Sequence, residues 1–179
     1  PSNGIDLEKL FSEIRTLIAS DNFPEAMAIL QSFMQNEPEN STALALLGTI
    51  LLKSGEFDQA ENIFSSIKPN DHGLSDVVAL NAELELVKQA GELGDIEQLI
   101  KNTQENPRDF QSKFDLSLAC NAAGKRELAT DYLLEIITAD REWNEDGARK
   151  QLIKYFEAWG NTDEATKSGR RRLSAALFS

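Results

Sequence analysis

The sequence predicts an all-α fold, a solenoid of about five antiparallel helix hairpins, and three observations carry that expectation. The first is self-similarity: Phe23-Pro24-Glu25-Ala26 matches Phe57-Asp58-Gln59-Ala60, with both the Phe and the Ala positions 34 residues apart. A fixed period of that length fits one hairpin of two short helices that buries its apolar side against the next. The second is composition. Aromatics make up only 7% of the 179 residues and β-branched runs are few, which disfavours a sandwich or barrel. The third is punctuation, because Ser41, Asp58, Asp95 and Asp163 each precede an apolar-periodic run, where a short polar side chain caps a helix.

The 34-residue interval is that of the tetratricopeptide repeat, and the elements follow in order. In the first repeat, over 5–38, Leu10, Ile14, Leu17, Leu30 and Phe33 occupy the apolar positions and Pro38 ends it. The second, over 41–69, has Leu44, Leu47, Gly48, Leu51, Ala60, Phe64 and Ile67, with Gly48 and Ala60 expected to face each other where its helices cross. Ala60 to Ala129 is 69 positions, two periods plus one, so the third repeat, over 75–106, is irregular. It reads as a helix from about Ser75 to Ala90, carrying Val78, Ala82, Leu86 and Val87 at helical spacing, and a shorter one from Asp95. The fourth, over 109–140, holds Leu116, Gly124, Ala129, Leu133 and Ile136 in place. The fifth, over 144–178, pairs a helix capped by Asn144 with one from Asp163, divided by Gly160-Asn161. No Pro-, Gly- or Ser-rich linker interrupts the series, so 1–179 is expected to form one superhelical domain.

Charge restricts the partners. Eighteen basic against 30 acidic residues give a net −12, which repels phosphate backbones and anionic membranes. Neither nucleic acid nor a membrane is an expected partner. The acidity is concentrated in the first 90 residues, which hold 5 basic and 14 acidic side chains. Pro1-Ser2-Asn3-Gly4 forms no secretory leader, and the missing initiator Met leads us to expect a piece of a longer chain. One cysteine permits no internal disulfide and suits a reducing cytoplasm.

Catalytic and cofactor-binding patterns are absent from the sequence: no dinucleotide or phosphate-binding glycine loop, no nucleophile elbow, no metalloprotease helix. His72 stands alone in a Pro/Asn/Asp/Gly loop, too little for a metal site. Glu83 and Glu85 point to different faces of one helix. Cys120 falls at a position where a side chain packs into a hairpin and is read as a buried, unreactive thiol, the alternative being a redox-sensitive one. The expectation is a protein that is not an enzyme and binds no cofactor or metal.

What is left is surface. The first helix of each hairpin lines the concave side of such a solenoid, and there the sequence sets Phe11, Arg15, Ile18, Leu52, Phe114 and Leu118. Either these form an apolar groove on an acidic body or neighbouring helices cover some of them. In the last helix Leu173, Leu177 and Phe178 form one stripe, flanked by Arg170 and Arg171. Docking a partner and capping the solenoid's own core are both open for that stripe.

Four segments carry a closer likeness: Phe114-Asp115-Leu116-Ser117-Leu118-Ala119, Leu133-Leu134-Glu135-Ile136-Ile137, the run from Asp140 through Trp143 to Leu152, and Arg170-Arg171-Arg172-Leu173-Ser174-Ala175-Ala176-Leu177-Phe178. They resemble the C-terminal region of bacterial thioredoxin-like co-chaperones of the YbbN (CnoX) family, closely from Phe110 onward and loosely before it. The resemblance implies a holdase region that keeps unfolded client proteins soluble and hands them to chaperonin or Hsp70 machinery, the chaperonin contact lying at the C-terminal end. It also implies a thioredoxin-fold domain ahead of Pro1. The sequence departs from the family in holding no such domain and no Cys-x-x-Cys, so no catalytic residue carries over. The alternative is the scaffold of a thioredoxin-type oxidoreductase whose redox site lies in that preceding domain.

Overall fold

The structure is a computed structural model that describes residues 4–179. Pro1-Ser2-Asn3, read above as part of no leader, lie outside the described residues. The fold among them is all-α, with ten helices and no strand: α1 Gly4–Ala19, α2 Phe23–Met34, α3 Ser41–Lys53, α4 Phe57–Ser66, α5 Ser75–Gly91, α6 Ile96–Glu105, α7 Phe110–Ala122, α8 Arg126–Ala139, α9 Trp143–Trp159 and α10 Glu164–Phe178. They fall into two compact units, one ending at Leu84 and the other beginning at Glu85, so that the boundary lies within α5.

The first unit is built on two apolar clusters. Phe11, Ile14 and Ile18 of α1 pack with Ala26 and Leu30 of α2 and Ala43, Leu46 and Ile50 of α3. Ala45, Ala60, Ile67, Val77, Leu80 and Leu84 form the second. A Cβ built at Gly48 would lie 2.6 Å from Cδ2 of Leu80 on α5, a neighbour the sequence did not suggest. The small residue thus serves the approach of the next repeat. In the second unit α8 is the central element, packing against α7, α9 and α10. Its Leu133 and Ile136 are fully buried, as are Leu152 and Tyr155 of α9.

Local chemistry explains the helix ends. Asp95 accepts the Glu97 N–H at 3.0 Å, and Asp163 accepts from Ala165 and Thr166 at 2.9 and 3.3 Å, as the spacing predicted. Ser41 is not a cap. Asn40 takes that place by accepting from Ala43, which leaves the Ser41 hydroxyl to donate to Asp71 at 2.6 Å. Asp58 likewise sits inside the first turn of α4, after an N-cap position held by Glu56 whose side chain caps no backbone N–H. Gly55 and Gly124 end α3 and α7 at φ 84° and 75°, left-handed positions where a Cβ is strained.

The start of α9 departs most from expectation. Asn144, Glu145 and Asp146 all have left-handed backbone, at φ 50°, 55° and 66°, so Asn144 does not cap the helix and Glu145 and Asp146 do not form its first turn. Trp143 anchors this segment against Phe110 and Phe114, with ring centroids 6.4 and 5.6 Å away, and Arg149 pairs with Asp146 behind it.

Candidate functional site

In the first unit the residues expected to line a groove are mostly held by their own neighbours. Phe11 and Ile18 are buried, because α2 and α3 cover that side of α1; Phe11 meets Phe33 edge to face at 5.4 Å. Arg15 is half-buried, donating to Asp76 through Nε at 3.0 Å and Nη2 at 2.8 Å and to Glu8 at 2.7 Å. Those bonds, Asp76 first, raise its already high pKa. Arg15 therefore ties α1 to α5 and has little left to offer a ligand. Leu52 is half-buried against the second cluster.

The second unit gives a mixed outcome. Leu118 is buried, and Phe114 is half-buried beside Trp143. Leu173 belongs to the core, since the inner face of α10 lies on α8 and α9. Arg172 is committed to Asp131 and Glu127. Arg170 donates to Asn161 at 2.8 Å with its guanidinium 5.7 Å from the Phe156 ring centroid, whereas Arg171 is exposed. Leu177 is half-buried and Phe178 is 88% exposed. The predicted stripe is thus divided: its first residue packs inward and its last faces outward.

Sequence reasoning missed the largest apolar exposure within α5 and α6. Val87, Ile96 and Ile100 are 45%, 39% and 41% exposed, and α6 buries no residue at all. Ile96 and Ile100, one turn apart, share a face with half-buried Leu99. Asn102 of α6 bonds Ser112 of α7 at 3.2 Å, which fixes the helix on its other side. The sequence marks this region by the irregular length of the third repeat, which does not say what covers its second helix.

Most of the remaining polar features are self-satisfied, the buried Thr166 hydroxyl, which has no hydrogen-bond partner among the described residues, being an exception. A groove of about 530 Å³ between α7, α8 and α10 contains Lys113, Glu135, Asp131 and Arg172, and these pair with one another. His72 packs against Phe64 at 5.1 Å with Nε2 3.2 Å from the Ile67 carbonyl oxygen. Cys120 is half-buried, and burial raises its thiol above the ordinary range. Among the described residues no cluster of His, Cys, Asp or Glu could hold a metal, and no helix is long and apolar enough to cross a membrane.

Two tetratricopeptide repeat family models match the chain, one over residues 17–84 and the other over 89–178. The second alone spans half of it, and the chain belongs to the tetratricopeptide repeat family. Its helical hairpins are therefore those of a protein-interaction module. A domain of a Vibrio parahaemolyticus protein of unknown function, solved by crystallography, is similar at 21% identity, covering 94% of this chain and 98% of that one with a TM-score of 0.45. No curated protein matches the chain significantly.

Proposed function

We propose that this chain is the client- and partner-binding region of a cytoplasmic, thioredoxin-like co-chaperone, a holdase that keeps unfolding proteins soluble and passes them to chaperonin or Hsp70 machinery without catalysing a reaction. The observation that carries this reading is the face of α6, where Ile96 and Ile100 stand exposed on a helix with no buried residue. Unfolding proteins share exposed apolar segments and little else, and an apolar helix face on an acidic, soluble body meets them without demanding a sequence. The outer side of α10, with Arg170, Arg171, Leu177 and Phe178, supplies a separate contact for the receiving machinery. The half-buried thiol of Cys120, with its raised pKa and no second cysteine in the chain, favours binding over redox chemistry.

Light scattering from a heat-unfolding client protein tests this directly. The chain should suppress the client's aggregation, and the double variant Ile96→Lys, Ile100→Lys should lose that suppression with its circular dichroism unchanged. Both positions are solvent-facing, so the substitutions spare the fold. Aggregation unaffected by the parent chain, or suppressed equally by the double variant, would remove the basis of the reading.

A further inference from the structure

The two methionines of the chain, Met27 and Met34, both line one groove in the first unit, of about 470 Å³ between α2 and α3. Leu30 is its buried floor, Leu47 comes from the facing helix, and Gln31 and Gln35 stand exposed at its rim. Positions 27, 30, 31 and 34 recur at helical spacing, so one face of α2 forms a continuous wall. The volume lies within the range of specific binding sites, and flexible thioethers let such a wall repack around different apolar side chains.

Charge indicates what covers it. None of the lining residues is charged. The unit that contains the groove, up to Leu84, holds four basic against 13 acidic residues, a net −9. Two of the four cations are already bound: Arg15 by Asp76 and Glu8, Lys68 by Glu39. Exposed Glu25 and Glu37 flank the two ends of α2, and the negative end of its dipole lies beside Met34. An acidic partner would be repelled, and a neutral one would gain nothing from the surrounding field.

We propose that this groove binds an amphipathic segment of a partner protein, apolar on one face and flanked by lysines or arginines. The proposal rests on the reading of the chain as a protein-binding module and adds a second surface with its own partner chemistry. It is distinct from α6, which lies in the other unit. A second copy of the chain is disfavoured as occupant by mutual repulsion at net −12.

The methionines provide the assay. Protein carrying methyl-labelled methionine gives two resonances, both from the groove, and is titrated with a synthetic helical peptide of leucine and lysine. Both resonances should shift and saturate. Affinity should fall about tenfold in Gln31→Lys, which sets a like charge at the exposed rim, and by a similar factor when glutamate replaces lysine in the peptide. Resonances that stay in place would overturn the proposal, as would equal binding of the lysine and glutamate peptides, or shifts that follow protein concentration alone and so mark a second copy. Client-aggregation suppression through Ile96 and Ile100 is measured on the same Gln31→Lys protein: it persists if only the groove assignment fails and disappears if the chain binds no protein at all.

Discussion

Gly48 shows how much a single missing Cβ decides in this fold. Leu80, the neighbour a Cβ would strike at 2.6 Å, is fully buried and has no open side to turn toward. Gly48→Leu should therefore cost on the order of 1 to 3 kcal/mol by overpacking, read from the urea midpoint, and a variant as stable as the parent would contradict this packing. The repeat pattern makes the need for a small residue legible, but helical spacing does not say which later helix comes closest. Tyr155 is a second residue whose environment has a measurable consequence. Burial pushes its phenol well above the ordinary 10.0, and because Ser117 donates its own proton to Ala129, Tyr155 is the donor in the 2.9 Å bond to the Ser117 oxygen. The folded state keeps this proton where the unfolded chain releases it. The associated stability is complete below pH 10 and is lost as the pH rises above that value. Tyr155→Phe should flatten this alkaline loss in denaturation measured across pH, and an unchanged slope would show that another group titrates there.

At the scale of the element, α6 and the start of α9 depart from simple helical expectation. The left-handed residues Asn144, Glu145 and Asp146 each cost about 1 to 2 kcal/mol relative to right-handed backbone, asparagine least because it tolerates that region. Glu145 has no such tolerance. Glu145→Gly should stabilise the protein by about 1 kcal/mol and raise its melting temperature by roughly 2 to 4 °C, whereas a lower melting temperature would contradict the left-handed turn. Asparagine and aspartate tolerate left-handed backbone without requiring it, which is why Asn144 reads as an ordinary cap in the sequence. Asp95 and Asp163 were legible because an aspartate bonding the next free N–H groups is a purely local arrangement. For α6 the spacing of Ile96, Leu99 and Ile100 gives the helix but not its cover; whether an apolar face is buried depends on a neighbour that periodicity does not specify.

Across the whole molecule, the all-α fold and its hairpin elements follow from the 34-residue interval, whereas which apolar faces stay exposed does not. Phe11, Ile18 and Leu118 read as groove candidates because aligned repeat positions assign them to lining helices, and Leu173 as part of a stripe open to docking or to capping; packing specific to this chain buries all four. Charge divides the chain as well, with −9 carried up to Leu84 and −3 from Glu85 onward by 14 basic and 17 acidic residues. That asymmetry separates a basic-segment groove in one unit from an apolar helix face in the other. The central claim is that the chain recognises exposed apolar chain rather than a folded surface. Calorimetric titration with one protein in two states, native α-lactalbumin and its reduced, carboxymethylated and permanently unfolded form, tests it most directly. The account predicts saturable binding of the unfolded form with a negative heat-capacity change, and none of the native form; equal binding of both forms, or of neither, would contradict it.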